Sequence, residues 1–124
     1  MAEQQATTIP QPEHEDEPAR DDRRFAARSP LGERLAAKRG EVLALAARRQ
    51  ASNVRVFGSV VRGSDGPSSD IDLLVDLPPD ARPLDIIELE CDLEAELGVR
   101  VDVGTAASLR PFLRDDVLAE AVAL

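Results

Sequence analysis

The chain has 124 residues and 43% hydrophobic content, enough for one domain with one modest core, which Val, Leu, Ile and Ala must fill because Trp and Tyr are absent and Phe occurs only 3 times. A net charge of -9 repels phosphate backbones at long range, and few aromatic rings are present for bases to stack on, which argues against a bulk or sequence-specific nucleic-acid binder. The single Cys91 cannot close an internal disulfide and no apolar run approaches a membrane span or a signal-peptide core, so a cytoplasmic protein with no membrane contact is expected.

Residues 1–29 hold Pro10, Pro12, Pro18, a Gln-rich start and the acidic run from Glu13 to Glu17, with almost no aliphatic periodicity, and are expected to form a disordered acidic tail. His14 lies in that tail with no second cluster of ligand-type residues beside it, which argues against a metal site there. The folded domain is expected over residues 30–124. Ser29 before Pro30 is an N-cap with proline at the first helical position, and Leu31, Leu35, Val42, Leu45 and Ala46 continue at helical spacing, so one helix is predicted from Pro30 to about Gln50. Val54 to Phe57 reads as a short strand stopped by Gly58, and Ser64 to Ser69 is a cluster of turn formers. Asp70 to Asp76 returns as a β-rich run. Pro83 opens a second long helix with Ile86, Leu89, Leu93 and Leu97 on one stripe and Gly98 as its stop. Val99, Val101 and Val103 alternate with Arg100 and Asp102 in a third strand, and Ser108 is placed to cap a last helix reaching Ala121. The predicted class is α+β, a small mixed sheet backed by helices on one face.

The placement of carboxylates on the strands carries the chemistry. Side chains alternate along a strand, so Asp70 and Asp72 share one face while Ile71 and Leu73 take the other. If Val101 and Val103 face the helices, Asp102 joins the two aspartates and three acids converge. Two unit charges about 4 Å apart repel by roughly 4 kcal/mol at an effective dielectric of about 20, a cost that hard divalent cations such as Mg²⁺ or Mn²⁺ remove. An Asp-x-Asp pair by itself also fits a solvated sheet edge. Upstream, however, Gly58-Ser59 follows a strand and precedes Val60, Val61 and Arg62, where glycine allows close backbone approach, serine adds a hydroxyl donor and arginine a cation. That combination reads as a seat for phosphate.

Gly58-Ser59, ten further residues and Asp70-Ile71-Asp72, within VRVFGSVVRGSDGPSSDIDLLVD, resemble the signature of the minimal nucleotidyltransferase family of the polymerase-beta superfamily. Val101-Asp102-Val103 resembles the family's third carboxylate and SLRPFLRDDVLAEAVAL its C-terminal helix, so the resemblance covers residues from about Leu31 to Leu124. It implies the palm-like nucleotidyltransferase fold. It also implies that Asp70, Asp72 and Asp102 are catalytic and hold two Mg²⁺ ions (or Mn²⁺), that Gly58 and Ser59 seat the phosphates of ATP, and that Arg62 offsets charge developing toward diphosphate. Arg48, Arg49 and Arg55 are expected to be solvated charges, and Cys91 half-buried filler.

Larger members of the superfamily append a domain for the acceptor, and this chain ends about one helix after Asp102, so it is expected to bring none. Proteins it resembles act as antitoxins beside a HEPN-domain toxin, some by transferring AMP to a tyrosine of that partner. The expected function is therefore a protein adenylyltransferase antitoxin that forms a hetero-oligomer with its toxin. Tyrosine self-modification is excluded because the chain has no tyrosine. Two rival readings differ in class: an antitoxin that neutralises by binding alone, and a small-molecule nucleotidyltransferase of the antibiotic-modifying kind assembled across a shared cleft.

Overall fold

A computed structural model describes residues 23–124. Of the tail expected over residues 1–29, residues 1–22, His14 included, lie outside the described residues. Arg24 and Phe25 already belong to the packed unit: Arg24 bridges Ala123, the Phe25 amide donates to the Ala123 carbonyl at 2.7 Å, and the Phe25 ring packs against the core.

Two short helices replace the single one expected between Pro30 and Gln50. Helix α1 spans Pro30–Ala37 and α2 spans Arg39–Arg48, with a break at Lys38. Ser29 caps α1 as its sequence predicts, its hydroxyl accepting from the Gly32 amide at 3.0 Å. The break leaves Leu35 and Val42 both fully buried, so the apolar spacing survives a turn that it could not report. Strand β1 (Ser52–Phe57) ends at Gly58, which opens the four-residue helix α3 (Ser59–Arg62). Strand β2 (Ile71–Asp76) leads to helix α4 (Pro83–Leu97), stopped by Gly98 at φ 74°, a left-handed conformation that glycine adopts without strain. Strand β3 (Val101–Gly104), a 3₁₀ turn (Ala106–Ser108), helix α5 (Pro111–Glu120) and strand β4 (Val122–Ala123) complete the chain. Ser108 does not cap α5. Its hydroxyl accepts from the Thr105 amide at 3.0 Å and so closes the 3₁₀ turn, while Pro111 starts the helix.

The strands form one mixed sheet in the order β3-β2-β1-β4. β1 is antiparallel to both β2 and β4, and β2 is parallel to β3 through the α4 crossover. Val54 and Val56 of β1, Ile71, Leu73 and Val75 of β2, and Val101 and Val103 of β3 turn to one side. There they bury Leu35, Val42, Ala46, Leu89, Leu93 and Leu97 of the helices. At about 25 cal/mol per Å² of apolar surface, this single layer of aliphatic contacts is the main source of stability. The opposite face of β2 carries Asp72, the fully buried Leu74 and Asp76. Among the described residues no helix is long and apolar enough to cross a membrane.

Candidate active site

Register places the carboxylates. Ile71 pairs with Val101 and Leu73 with Val103, so Asp72 and Asp102, which lie between them, are direct neighbours across parallel strands and point to the same side. Asp70 stands two residues before Asp72, on that side again. β3 is an edge strand, and its outward amides are satisfied by two glutamates one turn apart on α4. Val101 N–H donates to Glu94 at 3.1 Å and Val103 N–H to Glu90 at 2.8 Å. Asp102 is thus held on a strand tied down on both sides.

The three acids share a face but do not form a ready-made ligand cage. Among the described residues no set of three His, Cys, Asp or Glu side chains gathers closely enough to hold a metal ion as placed. The like charges of Asp70 and Asp102 act on Asp72, with Arg62 opposing them. Asp102 is exposed. Asp70 leans toward Arg100, whose Nε lies 4.0 Å from its Oδ1. Asp72 is half-buried, next to the fully buried Leu74 on the same face. Its carboxyl is pushed up to about 6, first by burial, then by the charges of Asp102 and Asp70, with Arg62 opposing. The donor set fits a divalent cation. It offers carboxylate oxygens only, and Asp72 at its centre is held toward its protonated form by burial and by the neighbouring carboxylates, both of which a bound cation would counter.

Gly58 closes the other side of the site. Its φ of 83° is a left-handed conformation, and a Cβ there would stand 3.2 Å from Asp72 Cγ and closer still to its carboxylate oxygen. The turn therefore touches Asp72 through bare backbone. Ser59 and Val60 begin α3, and the first amides of a helix have no partner within it. The Gly58 amide and Arg62, by contrast, are engaged by Glu120 at the end of α5. Gly58 N–H donates to Glu120 Oε1 at 2.8 Å and Arg62 Nη1 to Oε2 at 2.6 Å. Sequence reasoning missed Glu120 because its role depends on a pairing with Gly58, 62 residues away; its last-turn position on a predicted helix carried no signal.

Arg49 pairs with Glu88 and Asp92 of α4, and Arg55 with Asp76 of β2, so both tie elements together. Cys91 is exposed instead of half-buried, because Leu89 and Leu93 on either side take the inward positions of α4. A cavity of about 480 Å³ lies at the other end of β2, lined among others by Leu77, Pro83, Ile86 and Ala106. None of the three carboxylates lines it, so its size has no bearing on their chemistry.

The model of the nucleotidyltransferase domain family matches residues 42–124, which include every one of these side chains. The chain is 46% identical over 69 residues to the protein adenylyltransferase MntA of Thermococcus cleftensis, covering 56% of this chain and 70% of that one. A solved structure described as a minimal nucleotidyltransferase superposes with a TM-score of 0.68 at 49% identity, covering 74% of this chain and 94% of that one. A crystal structure of a toxin-antitoxin with AMP-PNP has the same fold, with a TM-score of 0.60 at 22% identity, covering 68% of this chain and 69% of the other.

Proposed function

Because the chain belongs to the nucleotidyltransferase domain family, we propose that it transfers AMP from ATP to a tyrosine hydroxyl of a HEPN-family toxin and thereby neutralises it. The observation that carries this reading is the Asp72–Asp102 pair, with Asp70 on the same face and the Gly58-Ser59 turn in contact with Asp72. Likeness to a protein adenylyltransferase favours a protein acceptor over a small molecule, and the family resemblance in the sequence favours a toxin.

Asp70, Asp72 and Asp102 would hold two divalent cations, Mg²⁺ in the first instance. When bound, such ions neutralise charge on the phosphates and acidify the attacking hydroxyl. The chain itself supplies position. Ser59 offers its hydroxyl and the first free amides of α3 to the β- and γ-phosphates, and Gly58 admits them close to the backbone. The phenol oxygen bonds to the α-phosphorus as the bond to the bridging oxygen breaks, diphosphate leaves, and the phenol proton passes to water. Catalysis on this scheme is alignment and electrostatics with no covalent intermediate on the protein.

The test is intact-mass spectrometry of a HEPN-type partner incubated with the chain, ATP and Mg²⁺, beside an Asp70→Asn/Asp72→Asn control. One or more AMP additions that vanish in the control support the reading. A stable complex with unchanged mass replaces it with neutralisation by binding alone.

A further inference from the structure

Helix α5 poses a question that the catalytic reading leaves open. None of its residues is buried, yet its last residue, Glu120, keeps only 23% of its side chain exposed and uses both carboxylate oxygens. One oxygen takes the Gly58 amide, immediately before α3, and the other takes Arg62, the final residue of α3. A single carboxylate therefore grips both ends of the four-residue helix that carries Ser59.

The grip is set by the sheet. β4 pairs Val122 with Val56 and Ala123 with Arg55, and continuing that antiparallel register by two residues sets Glu120 opposite Gly58. In a capping box a Glu or Gln at the third helical position accepts from the N-cap amide; Val61 stands there in α3 and cannot, so Glu120 supplies that acceptor for the Gly58 amide from outside. Arg62 is by the same token already neutralised. Its distance of 2.6 Å to Glu120 leaves a phosphate to compete with a carboxylate for the guanidinium.

Building on the reading of Gly58-Ser59 as the phosphate seat, we infer that Glu120 is a positioning residue that clamps this turn against the Asp72 carboxylate, and that Arg62 is the second arm of the clamp and not a phosphate ligand. Charge-assisted hydrogen bonds to both ends of α3 hold the Ser59 hydroxyl and amides in place before nucleotide arrives. Glu120 itself touches neither phosphate nor acceptor.

The experiment measures AMP-PNP binding with Mg²⁺ by calorimetry for the whole chain, for Glu120→Ala, for Arg62→Ala and for the double variant, at a temperature where circular dichroism shows all four folded. Glu120→Gln, which keeps an acceptor for the Gly58 amide, is the milder variant should Glu120→Ala not fold. The clamp predicts about tenfold or greater loss of affinity for Glu120→Ala, a similar loss for Arg62→Ala, and no further loss on combining them, since either change opens the same unit. Unchanged or tighter binding by Glu120→Ala overturns it, because that outcome makes Glu120 a competitor for a phosphate-binding arginine. Losses that add also overturn it. Failure of the wild-type chain to bind AMP-PNP at all would count against the nucleotide reading instead, and the clamp is then judged on hydrogen exchange. Faster exchange at Gly58 and Ser59 in the nucleotide-free Glu120 variant upholds it, and unchanged exchange overturns it.

Discussion

Gly58 and Asp72 meet so closely that no side chain fits between them, with the glycine at φ 83° and the carboxylate filling the space a Cβ would need. Two consequences of this contact can be measured, one on each partner.

Gly58→Ala imposes left-handed strain on a residue with a Cβ and drives that carbon into Asp72. A loss of about 2 to 4 kcal/mol is expected, from roughly 1 to 3 kcal/mol of backbone strain together with displacement of the carboxylate. Nucleotidyl transfer should fall below detection even where the variant stays folded. Gly66→Ala is the control. Its Cβ meets nothing within 4 Å, and its stability should stay within about 0.5 kcal/mol of the parent. Urea denaturation of the two variants provides the comparison, and equal losses would remove the steric argument.

Asp72→Asn should stabilise the metal-free protein at neutral pH while removing activity. The carboxyl is raised from its ordinary 3.8 to about 6, so between these values the folded state holds the proton more firmly than the unfolded chain does. Stability from this group is therefore greatest below pH 3.8 and declines as pH rises through about 6. Allowing for solvent screening of a half-buried group, the gain from the amide at pH 8 is about 1 kcal/mol, or roughly 4 to 8 °C in Tm for a domain of this size. Melting in EDTA at pH 5 and pH 8 checks it. The gap between variant and parent should narrow at pH 5, and a gap that widens there reverses the sign of the argument.

What the sequence disclosed follows from how local each signal is. Alternation along Asp70-Ile71-Asp72 and Val101-Asp102-Val103 assigns faces within a few residues, and Gly98 ends its helix by a conformation that glycine adopts cheaply. These features could be read without the fold. The break at Lys38 could not, because Leu35, Val42 and Ala46 keep helical spacing across it. A two-residue strand such as β4 has no periodicity, and it exists only through pairing with β1. Glu120 acquires its partners through that same pairing. Phe25 was hidden for a related reason, as one aromatic in an otherwise polar stretch whose value depends on a distant surface. The mutual approach of the aspartates lay between these cases: their common face was legible, whereas the exposure of Asp102 and the lean of Asp70 toward Arg100 depend on surroundings that only the folded chain assembles.

Those dispositions bear on the metal. Asp70→Asn, Asp72→Asn and Asp102→Asn should each lower nucleotidyl transfer by about 100-fold or more, since on the proposed function each removes a charge from the oxygen donors for the cations. Their effects on stability should differ. Asp102 is exposed and a source of repulsion on Asp72, so Asp102→Asn should leave the fold intact and let the Asp72 carboxyl titrate lower. The stability of metal-free Asp102→Asn should then depend less on pH between 5 and 8 than that of the parent. Adding Mg²⁺ or Mn²⁺ should raise the Tm of the parent chain and raise it much less in any of the three variants, because an ion that binds only the folded state stabilises it by an amount that grows with the logarithm of its concentration over Kd. Thermal melts across a magnesium titration measure this directly, and equal shifts in parent and variants would place the cation away from these carboxylates.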